Sequence, residues 1–133
     1  MGAGLILETT FLIDLERELR ARAAGPAQAF LAANASEPLF ITFTIAAELA
    51  SGRVPVDRSL WEKSIALFEV LESNTDVCWE FGRLHRFLRT NGLLIGTNDL
   101  WIAATALAYN KSLVTRNVRE FQRVPGVTVR GYA

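Results

Sequence analysis

The chain is 133 residues long, 50% of them apolar and 21% charged, with one cysteine and a mean hydropathy of +0.21. That composition fills one core, so a single domain over 1–133 is expected, and a disordered, fibrous or disulfide-stapled chain is excluded. Fourteen basic residues balance fourteen acidic ones, which excludes coating of nucleic acid by bulk charge and leaves local patches open.

Leu5, Ile6 and Leu7 form a short apolar run of the kind required by a strand buried on both faces, and it ends at Glu8. Thr9 and Thr10 then open a helix through Phe11, Leu12, Ile13 and Leu15, and Pro26, suited to a first helical turn, opens another running to Ala33. After a break at 34–38, Leu39, Phe40 and Ile41 repeat the strand signal. Thr42 or Thr44 is placed to cap the next helix, which contains Glu48 and ends around Gly52, Arg53, Val54 and Pro55.

Trp61, Ile65, Phe68 and Leu71 are spaced as one helical face, and Val77, Phe81, Leu84 and Leu88 repeat the spacing, which predicts two antiparallel helices. Cys78, between Val77 and Trp79, reads as a packed thiol. Thr97 or Asn98 is placed to cap a helix beginning at Asp99, whose apolar run Leu100 to Leu107 is expected to lie against a sheet. Leu113 and Val114, ending at Thr115, and then Val127, Thr128 and Val129 complete the strands. Short apolar strands alternating with helices predict a three-layer α/β domain with a mostly parallel central sheet flanked by helices. No basic stretch followed by an apolar run opens the sequence, and no apolar run reaches bilayer-spanning length, so a cytoplasmic location is expected.

Glu8, Glu48 and Asp99 stand apart from the other acids because each lies at a junction beside apolar structure. The carboxyl ends of neighbouring parallel strands lie together, so residues distant in sequence can converge there. Three converging anions require a cation, and their hard oxygen ligands suit Mg²⁺ or Mn²⁺ better than Zn²⁺. Helix starts also attract acids as plain caps, and position alone leaves both readings open. A dinucleotide-binding turn is disfavoured, because Glu8, Thr9 and Thr10 follow Leu7 where a glycine-rich loop would stand.

Four ordered segments carry more: LILETTFLIDL at 5–15, TIAAELA at 44–50, IGTNDLWIAA at 95–104 and LVTRNVREF at 113–121. Together they resemble the PIN-domain ribonucleases, and within them the VapC-type toxins of toxin-antitoxin pairs, over essentially the whole chain. The resemblance implies a PIN-like fold and Mg²⁺-dependent endonucleolytic cleavage of RNA leaving a 5′-phosphate, with Mn²⁺ as a substitute. It places Glu8 as the first metal-binding acid, where the family usually has Asp in a motif reading LDTN or LDTS, Glu48 as the second and Asp99 as the third. Asn117 falls on the fourth polar position with Thr115 just before it, and both are expected to hydrogen-bond water or phosphate. Arg116 is a candidate phosphate contact, with an ordinary solvated or carboxylate-paired arginine as the other reading. Glu120 is a candidate assistant from the next turn and Asp14 a structural support.

Glu8 departs from the family pattern, as does Thr10, where Asn is commonest. The extra methylene moves the carboxylate by roughly 1.5 Å, against an Mg²⁺ shell that requires contacts of about 2.0 to 2.1 Å. The alternative is therefore a catalytically attenuated PIN domain acting mainly through antitoxin or RNA binding. The resemblance further implies a VapB-type antitoxin partner and a homodimer. Trp61, Phe68 and Leu71 read either as core or as the border of a groove for an antitoxin helix. The lone His85 reads as a surface or structural residue.

Overall fold

The computed structural model describes residues 3–52 and 57–133. Strand β1 (Leu5–Leu7) leads into α1 (Thr9–Ala21) and α2 (Pro26–Ala33), followed by β2 (Leu39–Thr42), α3 (Phe43–Ala50) and α4 (Arg58–Ile65). Then come β3 (Glu69–Leu71), α5 (Thr75–Thr90), α6 (Thr97–Tyr109), β4 (Ser112–Val114), the one-turn α7 (Val118–Phe121) and β5 (Val129–Arg130). The strands form one sheet in the order β3-β2-β1-β4-β5, and every neighbouring pair is parallel. The chain builds outward from β1 in one direction to β3, then returns to pair β4 on the other side of β1. Crossovers diverge on either side of that pair, which opens a crevice at the carboxyl ends of β1 and β4.

The short strands are buried because helices cover both faces of the sheet. Leu5 and Leu7 of β1 pack with Phe11 and Ala27 from α1 and α2, whereas the intervening Ile6 joins the larger core formed with α3, α5 and α6. This alternation is the period-two side-chain pattern of a strand. Local chemistry fixes the helix starts. The Thr42 hydroxyl accepts the Ile45 N–H at 3.2 Å to cap α3, and Asn74 Oδ1 accepts the Val77 N–H at 2.9 Å to cap α5. The start of α2 is held from α1, where the Glu18 carboxylate accepts the Ala27 N–H at 2.9 Å and the Gln28 N–H at 3.0 Å. Desolvation would raise the pKa of Glu18, but these donors outweigh it and hold the group below its ordinary value. A Cβ at Gly25 would stand 2.5 Å from the Glu18 carboxyl carbon, so this junction admits no larger residue without displacing the cap.

Four sequence expectations are corrected. The helix expected to carry Trp61, Ile65, Phe68 and Leu71 ends at Ile65, and Glu69–Leu71 instead pairs with β2 in the register Phe40 to Glu69 and Thr42 to Leu71. The unsatisfied backbone edge of β2 decides this, overriding a helical spacing that holds only by coincidence. Cys78 is exposed, since Val77, Leu84 and Leu88 are the α5 residues turned to the core. The helix α6 starts at Thr97 with Gly96 at its cap position, so neither Thr97 nor Asn98 caps it. The last strand is Val129–Arg130, displaced from the expected 127–129. Arg53, Val54 and Pro55 lie outside the described residues.

Phe11 is fully buried and meets Phe30 and Tyr132 edge-on, at centroid distances of 5.9 and 4.8 Å. Phe11→Ala is expected to lower stability by about 3–5 kcal/mol in denaturant unfolding, through lost burial and the cavity left behind.

Candidate acidic active site

Glu8 stands at the crevice between β1 and β4. Its backbone N–H donates to the Val114 carbonyl at 3.0 Å, and the residue is only 3% exposed. A buried carboxylate needs donors, and two threonine hydroxyls supply them to Oε1, from Thr10 at 2.7 Å and from Thr115 at 2.6 Å. Each hydroxyl also accepts a backbone N–H from the segment after β4. Arg116 donates to Thr10 Oγ1 and Asn117 to Thr115 Oγ1, both at 3.0 Å. Thr115 is completely buried, and its hydroxyl acts on Glu8.

The second acid, Glu48 on α3, is anchored in the same manner, because the Thr9 hydroxyl donates to its Oε1 at 2.8 Å. The adjacent threonines that open α1 therefore hold one acid each. Asp99 lies in the first turn of α6 and is half-buried. Burial pushes its carboxyl up to about 8, helped by a hydrogen bond and repulsion from Glu120 and then by the charges of Glu8 and Glu48. These interactions bring four acids into one electrostatic neighbourhood. The fourth is Glu120, carried back toward Asp99 by the single turn of α7, while Asn117 is exposed at the start of that turn.

Other expected residues lie at the margins. Arg116 is paired, with its Nη1 2.8 Å from Asp14 Oδ1. His85 stacks flat on Phe81, which stacks on Trp101, so it is built into an aromatic column. Trp61 is half-buried and donates its indole N–H to the Ala46 carbonyl at 3.0 Å. Beside it runs a groove of about 720 Å³ lined by Ile13, Arg17, Leu49, Trp61, Thr9 and Glu48 among others, which ends at the second acid. Phe68 packs into the core and Leu71 is buried in β3, so the expected stripe contributes only Trp61 to the groove.

The donor set is entirely carboxylate oxygen, the chemistry that suits a hard divalent cation. Among the described residues, no three His, Cys, Asp or Glu side chains stand ready to hold a metal ion. This does not conflict with the strong repulsion felt by Asp99, because charge acts over longer distances than a coordination bond. Glu8 and Glu48 each have one oxygen fastened by threonine, so closing on a cation requires side-chain movement around Oε2.

A parallel α/β sheet whose switch point gathers four carboxylates defines a domain with an acidic site at the carboxyl ends of its central strands. Residues 5–127 match the PIN domain family. Ribonuclease VapC1 of Haemophilus influenzae strain R2866 is 38% identical over 96 residues, covering 67% of this chain and 70% of that protein. The structure of VapBC-1 from nontypeable Haemophilus influenzae superposes with a TM-score of 0.77 at 29% identity, covering 96% of this chain and 97% of that one. VapBC2 from Rickettsia felis, solved bound to a DNA fragment from its promoter, gives a TM-score of 0.80 at 25% identity, covering 97% and 98%. The chain belongs to the PIN-domain family and is of the VapC type.

Without a cation, folded Asp99 keeps its proton up to about pH 8, whereas the unfolded aspartate loses it near 3.8. The folded state therefore binds more protons between these values, and the contribution of Asp99 to stability falls as pH rises through that window. The expected result is a thermal midpoint in EDTA that declines toward pH 8, with a flatter profile in Asp99→Asn. An unchanged slope in that variant would contradict the assignment.

Proposed function

We propose that this chain is a metal-dependent endoribonuclease toxin that hydrolyses RNA phosphodiester bonds and is neutralised by a cognate VapB-type antitoxin. The observation that carries the reading is the set of carboxylates at the sheet crevice, Glu8 and Glu48 each fastened by threonine hydroxyls, with Asp99 and Glu120 beside them. Its support from relatives is the name ribonuclease on VapC1 and the paired VapBC composition of the solved neighbours.

Glu8, Glu48 and Asp99 would hold Mg²⁺, or Mn²⁺ in its place. The bound cation would supply neutralisation of the attacked phosphate and activation of water. Thr10 and Thr115 orient Glu8, and Thr9 orients Glu48, each through Oε1, and among the described residues Oε2 of either acid has no hydrogen bond. Through that oxygen Glu48 would take the proton of the attacking water as its oxygen bonds to phosphorus. The bond from phosphorus to the 3′ oxygen breaks, and that oxygen acquires a proton, leaving a 5′-phosphate on the other fragment. Asn117, exposed beside α7, would hydrogen-bond water or phosphate.

The groove between α1, α3 and α4 is the surface that fits the antitoxin. Ile13, 46% exposed, together with Leu49 and Trp61, offers apolar anchorage, and the rim carries both signs of charge, Arg17 and Arg20 beside Glu16 and Glu48. Its end at Glu48 would let an antitoxin arginine pair with the acids. A homodimer belongs to the same reading, supported by exposed Trp79 and Phe87 on α5. The reading also places the protein in the cytoplasm with its RNA substrate.

A mixed pool of structured and single-stranded RNA is expected to be cut by antitoxin-free protein with Mg²⁺ or Mn²⁺ and spared in EDTA. Asp99→Ala should reduce the rate by about 100-fold or more while the protein stays folded by circular dichroism. The attenuated alternative rests on Glu8 and is separated by Glu8→Asp. A large rise in rate with unchanged melting and antitoxin binding would establish attenuation, and an unchanged or lower rate would establish Glu8 as the working acid. No cleavage by either chain with either metal would turn the reading to a binding role.

A further inference from the structure

A site made of four acids repels the phosphates of its own substrate, so a fixed cation at its rim has a specific task. Arg116 stands there. Its backbone N–H is bound to the Thr10 hydroxyl that holds Glu8, and its side chain, 48% exposed, crosses to Asp14. Asp14 lies about one turn of α1 beyond Thr10, about 6 Å along the helix, and its side chain is 14% exposed.

Three donors converge on Asp14. Oδ1 accepts Arg116 Nη1 at 2.8 Å and Arg17 Nη1 at 3.3 Å, while Oδ2 accepts the Tyr132 hydroxyl at 2.5 Å. The Tyr132 ring is set edge-on against fully buried Phe11, and its hydroxyl also lies 3.3 Å from the Thr10 carbonyl. Burial, and then the hydrogen bond and charge of Asp14, raise the phenol above its ordinary pKa, so it remains a donor. One carboxylate faces two guanidinium groups, which leaves this corner positive. Arg116 commits one of its five N–H donors to Asp14 and retains enough of its fork to grip a phosphate.

We propose that Tyr132 and Asp14 form a clasp that aims Arg116 at an RNA backbone phosphate entering the acidic site. Arg116 is the substrate contact, and Asp14 and Tyr132 are positioning residues. The assignment rests on the ribonuclease reading.

Phosphate contacts carry no sequence information, so labelled single-stranded RNA of mixed sequence is a sufficient probe. Binding is measured against salt in EDTA, which keeps the RNA intact, alongside cleavage by the same chains with Mg²⁺. Arg116→Ala should weaken binding about tenfold and lower the salt slope by about one ion. Arg116→Lys should restore the slope but not the full affinity, because an ammonium lacks the planar fork. Tyr132→Phe keeps the ring on Phe11 and every charge in place, so its expected loss of about threefold isolates the hydroxyl. That loss should vanish when Arg116 is already Ala.

Full affinity and slope in Arg116→Ala would overturn the proposal while leaving RNA cleavage to stand. A Tyr132→Phe loss that adds in full to that of Arg116→Ala would reduce Tyr132 to a packing residue and overturn the clasp. RNA neither bound nor cut by the unmodified chain would overturn both the clasp and the ribonuclease reading.

Discussion

Repulsion among Glu8, Glu48, Asp99 and Glu120 is the constraint around which the rest of the site is organised. Four carboxylates are unfavourable neighbours in a half-buried crevice, and the fold relieves them in two ways. Threonine hydroxyls from α1 and from the end of β4 engage Glu8 and Glu48, while Asp99 retains a proton well above the ordinary aspartate range. Each measure favours a place where hard cations would substitute for protons and hydroxyls.

The sheet topology makes this arrangement possible. Parallel pairing of Leu7 with Val114 sets Glu8 beside Thr115, although 107 residues separate them in the chain. Stabilisation lies with the helices on both faces, the large core under α3, α5 and α6 and the smaller one under α1 and α2. The carboxyl ends of the strands are thereby free to carry polar chemistry. Helix α1 contributes to both sides of the problem: Phe11 packs the core, and Thr9, Thr10 and Asp14 organise the acids and the basic corner.

Much of this was legible in the amino-acid sequence, for identifiable reasons. Buried parallel strands need unbroken apolar runs, so β1, β2 and β4 could be read directly, and Glu8 was conspicuous as the polar residue ending one of them. The strand β3 was not legible, because Trp61, Ile65, Phe68 and Leu71 satisfy a helical period and only pairing with β2 decides otherwise. The nearness of Glu120 to Asp99 depends on the single turn of α7, which leaves no periodic signal. The part played by Thr10 and Thr115 depends on strand register, and that of Tyr132 on packing against Phe11, so neither has a local signature.

The central claim is that these acids form a site for a divalent cation, and calorimetric titration of the metal-free chain with Mn²⁺ and Mg²⁺ tests it most directly. The account predicts saturable binding that is lost in Asp99→Asn and strongly weakened in Glu8→Gln, with both variants still folded. A folded chain that binds neither ion at millimolar concentration, or binding indifferent to both substitutions, would contradict it.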